Sequence, residues 1–157
     1  MKTNADKQLL RNVAIVKRRE IDLAKRIIFS KQIVDNLNSL LEIQKATNIL
    51  SYSVIGAEVD LTEFNNFILC SSGKKIFYPE SLKDDCEIDV AIIPGLLFDL
   101  RGFRLGRGKG YYDKLLPKLS CISIGIGFDF QIVKKLPSDT HDFKMDCLVT
   151  NKRIIHF

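Results

Sequence analysis

Nowhere in the 157 residues does an apolar run approach the roughly 20 positions that a membrane-spanning helix needs. The opening stretch MKTNADKQLL is too polar for a secretory leader, so a cytoplasmic protein without a membrane partner is expected. Cysteine is sparse as well. Cys70, Cys86, Cys121 and Cys147 stand far apart, with no C-x-x-C pair and no flanking histidine, which argues against a zinc site or a disulfide framework. Each cysteine reads as a small buried hydrophobe. Proline and glycine are missing from residues 5–46, and the chain has no internal repeat or low-complexity tract. A strong charge imbalance is missing too: 24 Lys and Arg against 19 Asp and Glu leave +5. So small an excess fits an anionic small molecule as well as a nucleic acid, and the placement of the charges has to decide.

What is present is globular. A chain of this length fits one domain and hides about 70% of its unfolded surface, and 46% apolar with 27% charged residues suits a packed core. From 5 to about 46 apolar residues recur at helical spacing. Leu9, Leu10, Val13 and Val16 form one stripe, and Leu23, Ile27, Ile28, Val34, Leu37, Leu40 and Leu41 another, which predicts two core-facing helices parted near 18–22. A strand is expected over 48–54, a helix over 61–70 with Thr62 as N-cap, and a brief strand over 75–78 stopped by Pro79. Residues 80–87 read as a polar loop. Residues 88–93, 121–127 and 146–150 read as buried strands, and 111–116 as a helix that Pro117 ends. Strands alternating with helices predict a layered α/β domain whose sheet has parallel pairs.

The most informative stretch runs Gly102-Phe-Arg-Leu-Gly-Arg-Gly-Lys-Gly110 and continues Tyr111-Tyr112-Asp113. Gly106, Gly108 and Gly110 alternate, which lets the backbone take positive φ and approach a ligand without side-chain clash. Successive backbone N–H groups feeding a helix N-terminus make an anion site, and Arg104, Arg107 and Lys109 put three cations on the same loop. Asp113, in the first helical turn, is favoured by the dipole and suits Mg2+. This is phosphate-binding chemistry. It is not a Walker A loop, which needs Ser or Thr where Gly110 stands, nor the dinucleotide fingerprint. Long, repetitive RGG-type RNA segments differ from it too, because this loop is short and framed by a strand and a helix.

With this loop the sequence resembles the 5-formyltetrahydrofolate cyclo-ligase family, also called 5,10-methenyltetrahydrofolate synthetases. The stretch DVAIIPGLLFDLRGFRLGRGKGYYDKLL carries each fixed position of the family pattern D-x-x-x-x-P-G-x-x-F-D-x-x-G-x-R-L-G-x-G-x-G-Y-Y-D, from Asp89 through Pro94, Gly95, Phe98, Asp99, Gly102 and Arg104 to Asp113. Lys7-Gln-Leu-Leu-Arg11 resembles the family's N-terminal K-x-x-x-R, and Tyr52 with Glu58-Val59 its Y…E-V segment. Phe128-Asp-Phe-Gln131, with Pro137, His141, Asp142 and Asp146, resembles its closing motifs.

The resemblance implies a single three-layer α/β/α domain over 1–157, with a mostly parallel, Rossmann-like sheet and N-terminal helices. It implies an enzyme that, with Mg2+, converts ATP and 5-formyltetrahydrofolate to 5,10-methenyltetrahydrofolate, ADP and phosphate; no nucleic acid is expected, and the sequence does not give the oligomeric state, for which a monomer is the default. The formyl oxygen takes the γ-phosphoryl group and N10 closes the ring as phosphate leaves, so loop amides, Arg/Lys and Mg2+ are the expected equipment. Carried over residue by residue, the family pattern puts ATP against Lys7, Arg11, Arg104, Gly106, Arg107, Gly108, Lys109, Gly110, Tyr111, Tyr112 and Asp113, with Arg104 and Lys109 catalytic. Glu58, Tyr112 and Phe98 are implied to meet the folate, and Asp113 and Asp142 the Mg2+.

Plainer readings stand beside some of these. Lys7 and Arg11, four apart, read also as a solvated helix pair. Tyr52 reads as core or wall, His141 as a loop-orienting residue, Asp146 as a cap, and Gln131 and Phe98 as packing. Only 80–87 stands where the family carries a longer segment, which points to a less enclosed folate side. The competing function is a non-catalytic nucleotide- or RNA-binding module on the same fold. The sequence disfavours it, because the basic residues lack interleaved aromatic residues beyond Tyr111 and Tyr112.

Overall fold

The computed structural model describes residues 2–157 apart from position 84; Met1 and Asp84, which fall in the polar N-terminal stretch and the 80–87 loop, lie outside the described residues. Helix α1 (Lys2–Arg19) ends on Lys17, Arg18 and Arg19, cations that suit a helix C-terminus. Asp22, in extended conformation, starts α2 (Leu23–Ser39) by accepting the Lys25 N–H at 2.8 Å. The break thus falls where the sequence places it. A second break at Leu40, again extended, sets off α3 (Leu41–Lys45) from the helix into which its residues are expected to merge.

The remaining elements are β1 (Asn48–Leu50), α4 (Thr62–Cys70), β2 (Lys75–Phe77), β3 (Val90–Pro94), β4 (Leu97–Asp99), β5 (Arg104–Leu105), α5 (Tyr111–Leu115), β6 (Ile122–Ile126), β7 (Ile132–Val133), β8 (Cys147–Val149) and β9 (Ile154–His156). Six strands form one sheet in the order β2-β1-β3-β6-β8-β9, with every pair parallel except β8 and β9. A smaller sheet runs β5-β4-β7. The expected strands are present but shorter. Strands β4, β5, β7 and β9 escape the sequence because two or three residues do not establish a periodicity. At α4 the capping side chain is Asp60, whose carboxylate accepts the Thr62 N–H at 2.9 Å; Thr62 is the first helical residue.

The main sheet is covered on both faces, and its strands show it residue by residue. Val90 and Ile92 pack with Ile33 and Leu37 of α2 and Phe64 and Ile68 of α4. Their neighbours Ala91 and Ile93 point the other way, to Leu116, Met145 and the half-buried Tyr112. This is the expected three-layer α/β arrangement. Helix α1 packs elsewhere: Ala14, with Leu10 and Ile15, lies on Leu96, Leu97, Leu105 and Leu136 beside the small sheet. Here the expected stripes need correction. Leu9, Val13, Val16, Leu23, Ile27, Ile28 and Leu41 are all more than half exposed, whereas the buried residues of α1 are Lys7, Ala14 and Arg18. The cysteines differ as well: Cys147 is buried, Cys86 and Cys121 are intermediate and Cys70 is exposed. No helix among the described residues is long and apolar enough to cross a membrane.

Candidate functional site

Strands β1 and β3 are neighbours, but the chain runs outward from them in opposite directions, to β2 on one side and to β6 and β8 on the other. Ligands of open parallel sheets bind outside the carboxyl ends of strands at such a reversal. A cavity of about 620 Å³ opens there, lined by Tyr52 and Ser53 after β1, Pro79 and Glu80 after β2, and Pro94 at the end of β3. The inward face of α1 supplies Asn4, Lys7 and Arg11, and the chain from Arg104 to Asp113 closes the other side.

The glycine loop is held at both ends. Before it, the completely buried Asp99 accepts the N–H groups of Arg101 (2.9 Å), Phe103 (3.1 Å) and Leu136 (2.9 Å), and the Arg101 side chain at 2.9 and 2.6 Å. Burial pushes this carboxyl up, but the bonds from Leu136, Arg101 and Phe103 outweigh it and hold it below the ordinary 3.8. That knot fixes the turn from which Arg104 emerges. After it, Gly108 and Gly110 take φ of +99° and +61°, which side chains rarely adopt, and a Cβ on Gly106 would stand 2.5 Å from Arg104 Nη1. Among the described residues no backbone N–H from Gly106 to Gly110 is donated to another protein group. The helix that follows is only five residues long, so the cradle depends on cations and loop amides rather than on the expected helix dipole.

Five cations line the cavity, each held differently. Lys7 Nζ donates to Asp142 at 2.7 Å and Asp139 at 2.8 Å. Burial lowers its pKa, but these two bonds outweigh burial and the net shift is upward. Lys7 is therefore a buried ion-pair residue, not a solvated one. Arg11 Nε donates to the Gly106 carbonyl at 3.0 Å, tying α1 to the loop. Arg104, with a side chain 4% exposed, lies over the Tyr112 ring at 5.0 Å and 3.6 Å from Asp113, and its Nε has no hydrogen-bond partner. Burial pulls its pKa down against Asp113, Tyr112 and Asp142. Arg107 donates to Glu58 at 2.9 Å, and Lys109 is exposed without an ion pair among the described residues. Tyr111 donates its hydroxyl to the Pro79 carbonyl at 2.9 Å and meets Tyr112 edge-on. The Tyr112 hydroxyl is raised above its ordinary pKa by burial first, against the pull of Arg104.

The comparisons with known proteins bear on this site. The family model described as 5-formyltetrahydrofolate cyclo-ligase family matches residues 80–151. A Mycoplasma genitalium 5-formyltetrahydrofolate cyclo-ligase is 29% identical over 164 residues, covering 93% of this chain and 98% of that protein. The NMR structure of Aquifex aeolicus 5,10-methenyltetrahydrofolate synthetase superposes with a TM-score of 0.84 at 30% identity, over 96% of this chain and 92% of that one. The chain belongs to the 5-formyltetrahydrofolate cyclo-ligase family. Some curated members are matched only in part: a Schizosaccharomyces pombe relative, 34% identical over 87 residues, is covered over 43% of its length.

Of the residues that the cyclo-ligase resemblance assigns to ATP, folate or Mg2+, all but one line the cavity. The exception is Phe98, a correction. Its ring is buried on three glycines, where a Cβ at Gly95, Gly125 or Gly127 would approach it to 2.6, 2.8 and 2.6 Å. Phe98 is packing. Gln131 is likewise structural, donating to the carbonyls of Gly95 and Leu96, both at 2.9 Å. Asp146 accepts the Ser123 N–H at 2.8 Å and hydroxyl at 2.6 Å beside the strands. Tyr52 is a cavity wall whose hydroxyl donates to the Val59 carbonyl at 2.9 Å. Pro94 and Leu105 stand in the family pattern without an assigned ligand, and sequence reasoning missed Asn4, Ser53, Ile55, Pro79 and Glu80, which no motif marks. Asn4 alone carried a signal, preceding Lys7 and Arg11 on one helical face.

Proposed function

We propose that this chain is an ATP-dependent 5-formyltetrahydrofolate cyclo-ligase, folding over 1–157 as one domain of that kind. The observation that carries the reading is Arg104, a buried guanidinium short of acceptors on the wall of a cavity framed by the glycine loop. A buried cation in that state favours an anion beside it. The phosphates of ATP would lie against Lys7, Arg11, Arg104, Arg107, Lys109 and the amides of Gly106, Gly108 and Gly110, near Tyr111, Tyr112 and Asp113. The cavity wall with Tyr52, Ile55, Tyr112 and the nearly buried Glu58 suits a flat ring carrying adjacent N–H donors, as a pterin does.

In the reaction the formyl oxygen attacks the γ-phosphorus, and the new O–P bond forms as the bond to ADP breaks. N10 then attacks the activated carbon and loses its proton, and the C–O bond breaks to release phosphate. No base is needed to activate an amide-like oxygen. Arg104 and Lys109 neutralise the charge that spreads over the transferring group, which is the main work of phosphoryl-transfer sites. Asp113 and Asp142, both on the cavity wall, would hold Mg2+. No group of three His, Cys, Asp or Glu converges among the described residues, and the two carboxylates face Arg104 and Lys7, so a hard cation there would take most of its shell from phosphate and water. The ion supplies further neutralisation of the phosphates.

Pure protein given 5-formyltetrahydrofolate should form a product absorbing at longer wavelength only when ATP and Mg2+ are both present. Lys109→Ala should lower that rate by about 10²–10³ with an unchanged unfolding temperature. No turnover at saturating substrates overturns the reading, and nucleotide or RNA binding without ring closure would favour the non-catalytic module.

A further inference from the structure

The glycine loop and the segment after β1 meet across the cavity at one ion pair. Arg107 Nη2 donates to Glu58 Oε1 at 2.9 Å and to the Ile55 carbonyl at 3.3 Å. Glu58 Oε2 accepts the Ile55 N–H at 3.0 Å, so both carboxylate oxygens are engaged. The pair is asymmetric: the Glu58 side chain is 8% exposed and that of Arg107 49%, which leaves the arginine free to swing and the carboxylate fixed. Arg18 is buried with a long bond to the Gly95 carbonyl at 3.4 Å, and the charge of Glu58 is the chief one offsetting its burial.

The two partners come from different segments lining the cavity. Arg107 stands on the phosphate loop, and Glu58 on the wall with Tyr52 and Ile55. We infer that the Arg107–Glu58 pair is a latch shared by the two substrates, which makes ATP and 5-formyltetrahydrofolate bind with positive coupling. The inference rests on the reading of the cavity as the joint site for both. Phosphates that draw Arg107 away release the Glu58 oxygen for the N–H donors of the folate ring. A ring that engages Glu58 releases Arg107 for the phosphates. Whichever ligand arrives first breaks the pair, and the second meets a site already open. The effect is reciprocal, because coupling free energies are.

Isothermal titration of the full chain tests this, using the β,γ-imido analogue of ATP with Mg2+ and 5-formyltetrahydrofolate, each alone and with the other saturating. In the wild type each ligand should tighten the other by the same factor, on the order of tenfold. Arg107→Ala opens the latch: folate affinity without nucleotide should rise to the value the wild type reaches with nucleotide, and the coupling factor should fall to about one. Glu58→Gln should weaken the folate and tighten the nucleotide alone, a gain that loss of a merely structural carboxylate would not produce. A wild-type coupling factor near one, or coupling retained in Arg107→Ala, overturns the latch and leaves both ligand sites standing. A wild type that binds neither ligand overturns the reading of the site and the latch with it.

Discussion

Burying a guanidinium forfeits several kcal/mol of hydration, and Arg104 recovers little of it. Its Nη1 lies 3.5 Å from the Pro94 carbonyl, its Nη2 lies 3.6 Å from Asp113, and its Nε has no partner. The proposed contact with phosphate would account for a residue held at the expense of stability. Arg104→Met keeps the bulk and removes the charge, and Asp113, left behind, is partly exposed. The variant should unfold at the same or higher temperature while nucleotide affinity and turnover fall by about 10²–10³. Destabilisation by more than about 2 kcal/mol, with turnover intact, would make Arg104 a packing residue instead. The motif alone singles out Arg104 as a phosphate cation. Its burial and its unsatisfied Nε come from Pro94, Tyr112 and Asp113 closing over it, and no residue spacing reports that.

Helix α1 turns its apolar stripe to solvent and its cations inward. An amphipathic helix ordinarily does the reverse. The cause is the surface on which α1 lies: Ala14 sits on Leu96, Leu97 and Leu105, and the same face reaches the cavity with Arg11 and Lys7, one and two turns before it, and carries the buried Arg18 one turn after it. Val16→Lys and Leu9→Lys should each change the free energy of urea unfolding by less than about 0.5 kcal/mol. Ala14→Leu, which overfills a closed contact, should cost about 1–3 kcal/mol. Equal costs for Val16→Lys and Ala14→Leu would show that the stripe is buried after all. The helix itself was legible in the spacing of its residues, but the face was not, because Lys7 has its partner Asp142 at a separation of 135 residues.

For the molecule as a whole, the Asp99 knot ties the turn between β4 and β5 to the chain after β7 in the small sheet, and it also carries a pH dependence. A carboxyl held below its ordinary value contributes stability that is fully present above about pH 4 and is lost as pH falls through the folded value. Asp99→Asn should cost about 1–3 kcal/mol at pH 7 and flatten the loss of stability below about pH 4, measured by urea unfolding. Parallel acid limbs for wild type and variant would assign that dependence elsewhere, with Asp129, held low by Arg153, the next group to examine. By itself the sequence determined the break at Asp22, the buried strands around 90–94 and 122–126, and the glycine loop, since each is written in residues adjacent along the chain. Tertiary structure alone decided which face of α1 is inward, that Phe98 fills the space above three glycines, and that Arg107 reaches Glu58, 49 residues away. Those depend on the order of strands in the sheet, and strand order is set by packing between segments that carry no local mark of one another.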